Sequence, residues 1–108
     1  MNFNEYQQAT DRTSPAFDDE IGCMVNFAMG LSGEAGEITD YVKKVVFQGH
    51  SLEKERIAEE LGDLLWYVAR MSSLLGYDLS KIAQMNIKKL EKRYPEGFSV
   101  EASVNRSE

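Results

Sequence analysis

The chain has little with which to build anything but helices. It has one cysteine, Cys23, so no intrachain disulfide is possible, which fits a reducing cytosol. Its two prolines, Pro15 and Pro95, bracket the body of the sequence and leave the middle unbroken. No β-branched run alternates with polar residues over a useful length, so strand signals are weak. No apolar stretch approaches membrane-spanning length, and the opening MNFNEYQQATDR lacks a basic segment followed by an apolar run. Cations are also short: 12 Lys and Arg stand against 18 Asp and Glu, a formal charge of −6 with pI near 4.8. That balance argues against a nucleic-acid polymer or an anionic membrane as partner, while leaving room for a small anion delivered with a cation. The expected protein is soluble and cytoplasmic.

What is present is helical spacing. A length of 108 residues implies one domain with a modest core, for which self-association is a natural complement. A short helix fits residues 4–12, with Phe3, Tyr6 and Ala9 along one side, and Thr13-Ser14-Pro15 breaks it. A long helix over 22–48 carries the stripe Met24, Ala28, Leu31, Ala35, Ile38, Val42, Val45. Gly49-His50-Ser51 ends it, with Ser51 as the expected N-cap of the next helix. That helix, 52–75, repeats the spacing with Ile57, Leu61, Leu64, Val68, Met71 and Leu75. Gly76 and Asp78 are the expected caps before a last helix over 79–93, which Pro95-Glu96-Gly97 stops. The predicted architecture is an all-α antiparallel bundle. Two long helices form a hairpin, shorter N- and C-terminal helices flank it, and oligomerisation completes it. Residues 1–98 form the domain, and 99–108 a flexible tail.

The two long helices contain a repeat. Shifting GEAGEITDYVKKV by 26 residues lays it on EELGDLLWYVARM. Glu34 meets Glu60, Gly36 meets Gly62, Glu37 meets Asp63, Tyr41 meets Tyr67 and Lys44 meets Arg70. Each acid and each tyrosine precedes a stripe residue by one, so they share a flank about 100° from the expected core seam. Folding the hairpin brings Glu34 level with Asp63 and Glu37 level with Glu60. Four converging carboxylates repel unless a cation joins them, and an all-oxygen set suits Mg²⁺ or Mn²⁺. Mg²⁺ commonly combines one or two carboxylates with substrate phosphates, which points to a phosphorylated ligand. The plainer alternative is a pair of solvated helix faces. Matched register weighs against that alternative, because like charges three residues apart cost helix stability. Gly30, Gly36 and Gly62 are expected to relieve bulk around the cluster.

The last helix places Asn86, Lys89 and Arg93 on one face, a set able to hold phosphate oxygens. Taken alone, a solvated basic end complementing the helix dipole is the stronger reading. Lys44 and Arg70 either reach phosphate or pair with nearby acids. Tyr41, Trp66 and Tyr67 either stack on a base or belong to core or interface.

GLSGEAGEITDYVKK, then EELGDLLWYVAR, then NIKKLEKRYPEGF together resemble MazG-like nucleoside triphosphate pyrophosphohydrolases of the short bacterial and phage type. The resemblance runs from Phe3 to Phe98. It implies an all-α, Mg²⁺-dependent hydrolase that cleaves a nucleoside triphosphate between the α and β phosphates, in nucleotide-pool housecleaning. It implies metal ligands at Glu34, Glu37, Glu60 and Asp63, with Glu34 or Glu37 orienting the water. Substrate contacts are implied at Asn86, Lys89 and Arg93, and are expected also at Lys44 and Tyr67. Assembly as a homodimer or homotetramer is implied too. Some branches carry a further glutamate where this chain has Gly33. Phosphoribosyl-ATP pyrophosphohydrolase chemistry, or a non-enzymatic helical dimerisation module, are the alternatives.

Overall fold

The structure, a computed structural model, describes residues 1–106. It consists of helices α1 (Phe3–Ala9), α2 (Glu20–Phe47), α3 (Lys54–Leu74), α4 (Leu79–Arg93) and α5 (Val100–Val104), with a 3-10 turn at Thr10–Thr13. The fold is all-α, as the spacing predicts, with no strand among the described residues. Among the described residues no helix is long and apolar enough to cross a membrane. Within the stretch read as a tail, residues 100–104 form α5, N-capped by Ser99. The last two residues of that stretch lie outside the described residues.

Local chemistry explains where each helix starts. Asn2 and Glu5 form a reciprocal capping box on α1. Asp19 accepts from the Gly22 amide, so α2 begins at Glu20, two residues before the expected start. Ser51 does not cap α3; Glu53 occupies that position without a side-chain bond. The Ser51 carbonyl is instead engaged by the Tyr41 hydroxyl at 2.6 Å, and the same hydroxyl accepts from the Glu53 amide at 2.8 Å. Asp78 precedes α4 but likewise makes no cap bond. The first amides of α4 are satisfied from α1: Leu79 N–H donates to Gln7 Oε1 and Ser80 N–H to Asn4 Oδ1. Gln7 Nε2 also donates to Ser73 Oγ and the Tyr77 carbonyl, so this buried amide ties α1 to the α3–α4 turn. Gly49 and Gly76 adopt positive φ (73° and 77°) just past the ends of α2 and α3, where a β-carbon would be strained.

The hairpin seam keeps one half of the expected α2 stripe, with Met24, Leu31, Ile38 and Val45 half-buried, and departs from the other half. The buried residues of α2 are Phe27 and Tyr41. Glu34 lies midway between them at heptad spacing, on the same face. The expected core residues Val42 and Leu61 are exposed, and Ala28 and Ala35 are exposed with them. Glu34 and Glu60 therefore stand half-buried in the seam between the helices, while Glu37 and Asp63 are exposed beside it. The apolar stripe, offset by one residue, is only half covered within one chain.

Of the glycines flanking the acids, one is a packing glycine. A β-carbon on Gly30 would overlap the ring of Tyr67, whereas Gly36 and Gly62 have nothing within 4 Å of that position. The expectation that all three relieve crowding is corrected accordingly. Gly62→Ala should raise the unfolding free energy in urea by about 0.5–1 kcal/mol, the helix-propensity gain at an open site. Gly30→Ala should lower it, because the Tyr67 ring must move.

Candidate metal and phosphate site

The two helices meet in a series of rungs. Gly30 faces Tyr67, Glu34 faces Asp63 across one cavity, Glu37 and Glu60 share another, and Tyr41 faces Arg56. This is the register expected from the repeat. Carboxylate oxygens of Glu34, Glu37 and Glu60 lie within 4.8 Å of one another, with Glu34 and Glu60 half-buried and Glu37 exposed. Asp63 stands outside that trio. It borders the neighbouring cavity with Glu34, and its charge acts on both Glu60 and Tyr6.

The electrostatics are those of crowded acids. The Glu60 carboxyl is pushed above the ordinary glutamate range. The leading cause is a hydrogen bond shared with Glu34, followed by burial and then by the charges of Glu34 and Asp63. A hydrogen bond with Glu37 pulls the other way. The Tyr6 phenol is also raised, by burial first and by the Asp63 charge second. One carboxylate oxygen of Glu60 is buried without a hydrogen-bond partner. An orphaned buried oxygen among like charges is the expected signature of an acid arranged for a cation. The donor set is all carboxylate, which fits a hard divalent ion.

Cavities flank the acids on both sides along the hairpin. Toward the α2–α3 turn, a cavity of about 410 Å³ is bordered by Glu37, Glu60, Asp40, Lys44, Arg56 and the glycines Gly33 and Gly36, among others. Lys44 thus stands at the site, but paired with Asp40 at 2.8 Å. That contact, ahead of one from Lys43, holds the Asp40 carboxyl below the ordinary range. Away from the turn, a cavity of about 300 Å³ is bordered by Glu34, Asp63, Thr13, Trp66 and Tyr67. Trp66 Nε1 donates to Thr13 Oγ1 at 2.8 Å, so the 3-10 turn forms part of this wall. Arg70, the repeat partner of Lys44, pairs with Asp11 and Thr10 and anchors the same turn. Asn86 and Lys89 are exposed on α4 and Arg93 half-buried; none of the three borders either cavity.

Arg56 was not singled out by its spacing, although it lies four residues before Glu60 on one helix face. Thr13 carried no signal, because its place depends on how the 3-10 turn docks.

A helical hairpin with acids facing one another across its seam defines a carboxylate-site fold. Over residues 26–98 the chain matches the MazG nucleotide pyrophosphohydrolase domain, and it belongs to that family of nucleotide pyrophosphohydrolases. It is similar to the Gene 37 protein of Mycobacterium phage L5, 36% identical over 92 residues that cover 82% of this chain and 81% of that relative. No solved structure matches it.

Because Glu60 binds a proton more tightly folded than unfolded, the metal-free protein should gain stability as pH falls through its raised range. Glu60→Gln should remove that dependence and raise the metal-free melting temperature at neutral pH. A divalent cation should stabilise the wild type and do so less for the variant, as read by thermal unfolding with and without chelator.

Proposed function

We propose that the protein is a Mg²⁺-dependent hydrolase that converts (deoxy)nucleoside triphosphates into the nucleoside monophosphate and pyrophosphate, in nucleotide-pool housecleaning. The observation that carries this reading is the convergence of Glu34, Glu37 and Glu60 within 4.8 Å, beside Asp63, in a chain of the MazG family. These four acids would hold Mg²⁺, with Mn²⁺ as a substitute. The bound ion would neutralise charge on the triphosphate.

The chain's own residues supply position and proton transfer. Glu34 or Glu37 orients a water toward the α phosphorus and takes its proton. The water oxygen bonds to the α phosphorus as the α–β bridging bond breaks, and pyrophosphate leaves with the bridging oxygen. Glu37 is the more exposed of the two. Lys44, two helical turns or so from the acids and bordering the same cavity as Glu37, is positioned for the phosphates once it exchanges Asp40 for substrate. Tyr67 borders the cavity on the opposite side and offers a ring face to a base.

Assembly is part of the proposal. The Cα radius of gyration is 17.1 Å, against about 13 Å for a compact chain of this length. Ile21, Val25 and Met29 form an exposed apolar line on α2, and Val42 and Leu61 lie bare along the hairpin. A homodimer or homotetramer would cover these surfaces, and it would give Asn86, Lys89 and Arg93 a neighbour's substrate to contact.

Pyrophosphate release should be seen from at least one member of a panel of nucleoside triphosphates, deoxynucleoside triphosphates and phosphoribosyl-ATP with Mg²⁺, and be lost with EDTA. Glu37→Gln and Asp63→Asn should each lower turnover by about 100-fold or more, with helicity unchanged by circular dichroism. Full activity in both would rule out the four-carboxylate site. Sedimentation velocity should show a species larger than 12.2 kDa.

A further inference from the structure

The two halves of the hairpin are related by the repeat, but their outer rungs differ. At one end Tyr67 faces Gly30; at the other, Tyr41 faces Arg56. The same 26-residue shift that lays Tyr41 on Tyr67 lays Gly30 on Arg56. The repeat is therefore broken at this position, with a residue that has no side chain at one end and a guanidinium at the other.

The difference shapes the two cavities. The Gly30 rung lets the Tyr67 ring lie against the backbone of α2, beside Trp66 at 4.9 Å between ring centroids. The cavity there has aromatic walls and no lysine or arginine. At the other rung the Arg56 guanidinium lies 4.1 Å from the centre of the Tyr41 ring. That ring is itself fixed, because its hydroxyl is bonded to both Ser51 and Glu53 of the connecting loop. Stacking on a fixed ring removes much of the rotamer freedom an exposed arginine otherwise has, while leaving its N–H fork to bind oxygens. Arg56 borders the cavity shared by Glu37 and Glu60, together with Lys44.

The geometry points to a fixed polarity of substrate along the hairpin. The β and γ phosphates lie toward the turn against Arg56, the nucleoside lies toward Trp66 and Tyr67, and the acids stand between them at the α phosphorus. Arg56 touches the departing pyrophosphate. Tyr41 is a positioning residue that acts through Arg56 by seating it. This inference rests on the proposed triphosphate hydrolysis, and it goes further by assigning the two product halves to different cavities.

The test measures the two products separately. Calorimetric titration with magnesium pyrophosphate and with each of the four common deoxynucleoside monophosphates would be run on the wild type and on variants. Arg56→Ala should weaken pyrophosphate binding about tenfold, the loss of one charge-assisted fork, and change monophosphate binding by less than about twofold. Tyr67→Ala should do the converse. Arg56→Lys, which keeps the charge without the fork, should fall between wild type and Arg56→Ala. Tyr41→Leu should weaken pyrophosphate binding in the same direction as Arg56→Ala. Tyr41→Phe, which keeps the ring and loses the loop bonds that fix it, should fall between Tyr41→Leu and the wild type. Should the Tyr41 variants not fold, Arg56→Ala decides the matter.

Equal loss of both products in Arg56→Ala, no loss of pyrophosphate, or no pyrophosphate binding by the wild type would each overturn the polarity. A Tyr41→Leu variant that binds pyrophosphate as tightly as the wild type would overturn the seating role of the ring. Triphosphate turnover by the wild type is scored independently. An active enzyme with any of these patterns therefore loses this inference alone, and an inactive one loses the functional reading.

Discussion

Mutual repulsion of carboxylates held in one seam is the constraint on which the rest of the structure depends. A helical hairpin ordinarily closes on apolar side chains. Here the line that joins the buried Phe27 and Tyr41 passes through Glu34, and Glu60 approaches from the opposite helix. Acids so placed share a proton or share a cation, since each further charge raises the energy of the next. The raised Glu60 carboxyl and its orphaned oxygen are the form this conflict takes. The hairpin is held closed by other means. Edge-on contacts of Phe27 with Phe17, Trp66 and Tyr67 secure the open end, and the Tyr41 hydroxyl fastens the loop at the turn.

The N-terminal segment contributes more than its length suggests. α1 lends acceptors to the start of α4 through Asn4 and Gln7, and the turn after α1 is fixed to α3 through Arg70 and Trp66. Thr13 thereby becomes a wall of the aromatic cavity. A segment of little intrinsic helical stability is thus ordered by side-chain hydrogen bonds, and in return it shapes one half of the site.

Much of this was legible in the sequence, and the unreadable parts have a common cause. The repeat of acids and tyrosines specifies register, because register depends only on where the turn falls. It does not specify rotation. An error of one residue turns a helix by about 100°, and the apolar stripe and the acid line differ by that single step. Periodicity alone assigns the seam to the whole apolar stripe, whereas the structure keeps Met24, Leu31, Ile38 and Val45 half-buried and gives the places of Ala28, Ala35 and Val42 to Phe27, Glu34 and Tyr41. Gly36 and Gly62 attract attention beside acids, but a β-carbon there would meet nothing, while Gly30, at the start of the motif, carries the close contact. Arg56 escapes notice because its counterpart in the repeat is a glycine, so a search for matched pairs passes over it. Caps supplied from a distant helix, as at α4, leave no local signal at all.

In the proposed reaction the scissile bond lies at the acids, between a base end and a phosphate end. Hydrolysis of a nucleoside triphosphate in ¹⁸O-labelled water, followed by ³¹P resonance of the products, tests that placement most directly. The predicted result is label in the monophosphate and none in the pyrophosphate, because the water oxygen joins the α phosphorus. Label in the pyrophosphate, or release of orthophosphate with a nucleoside diphosphate, would contradict it.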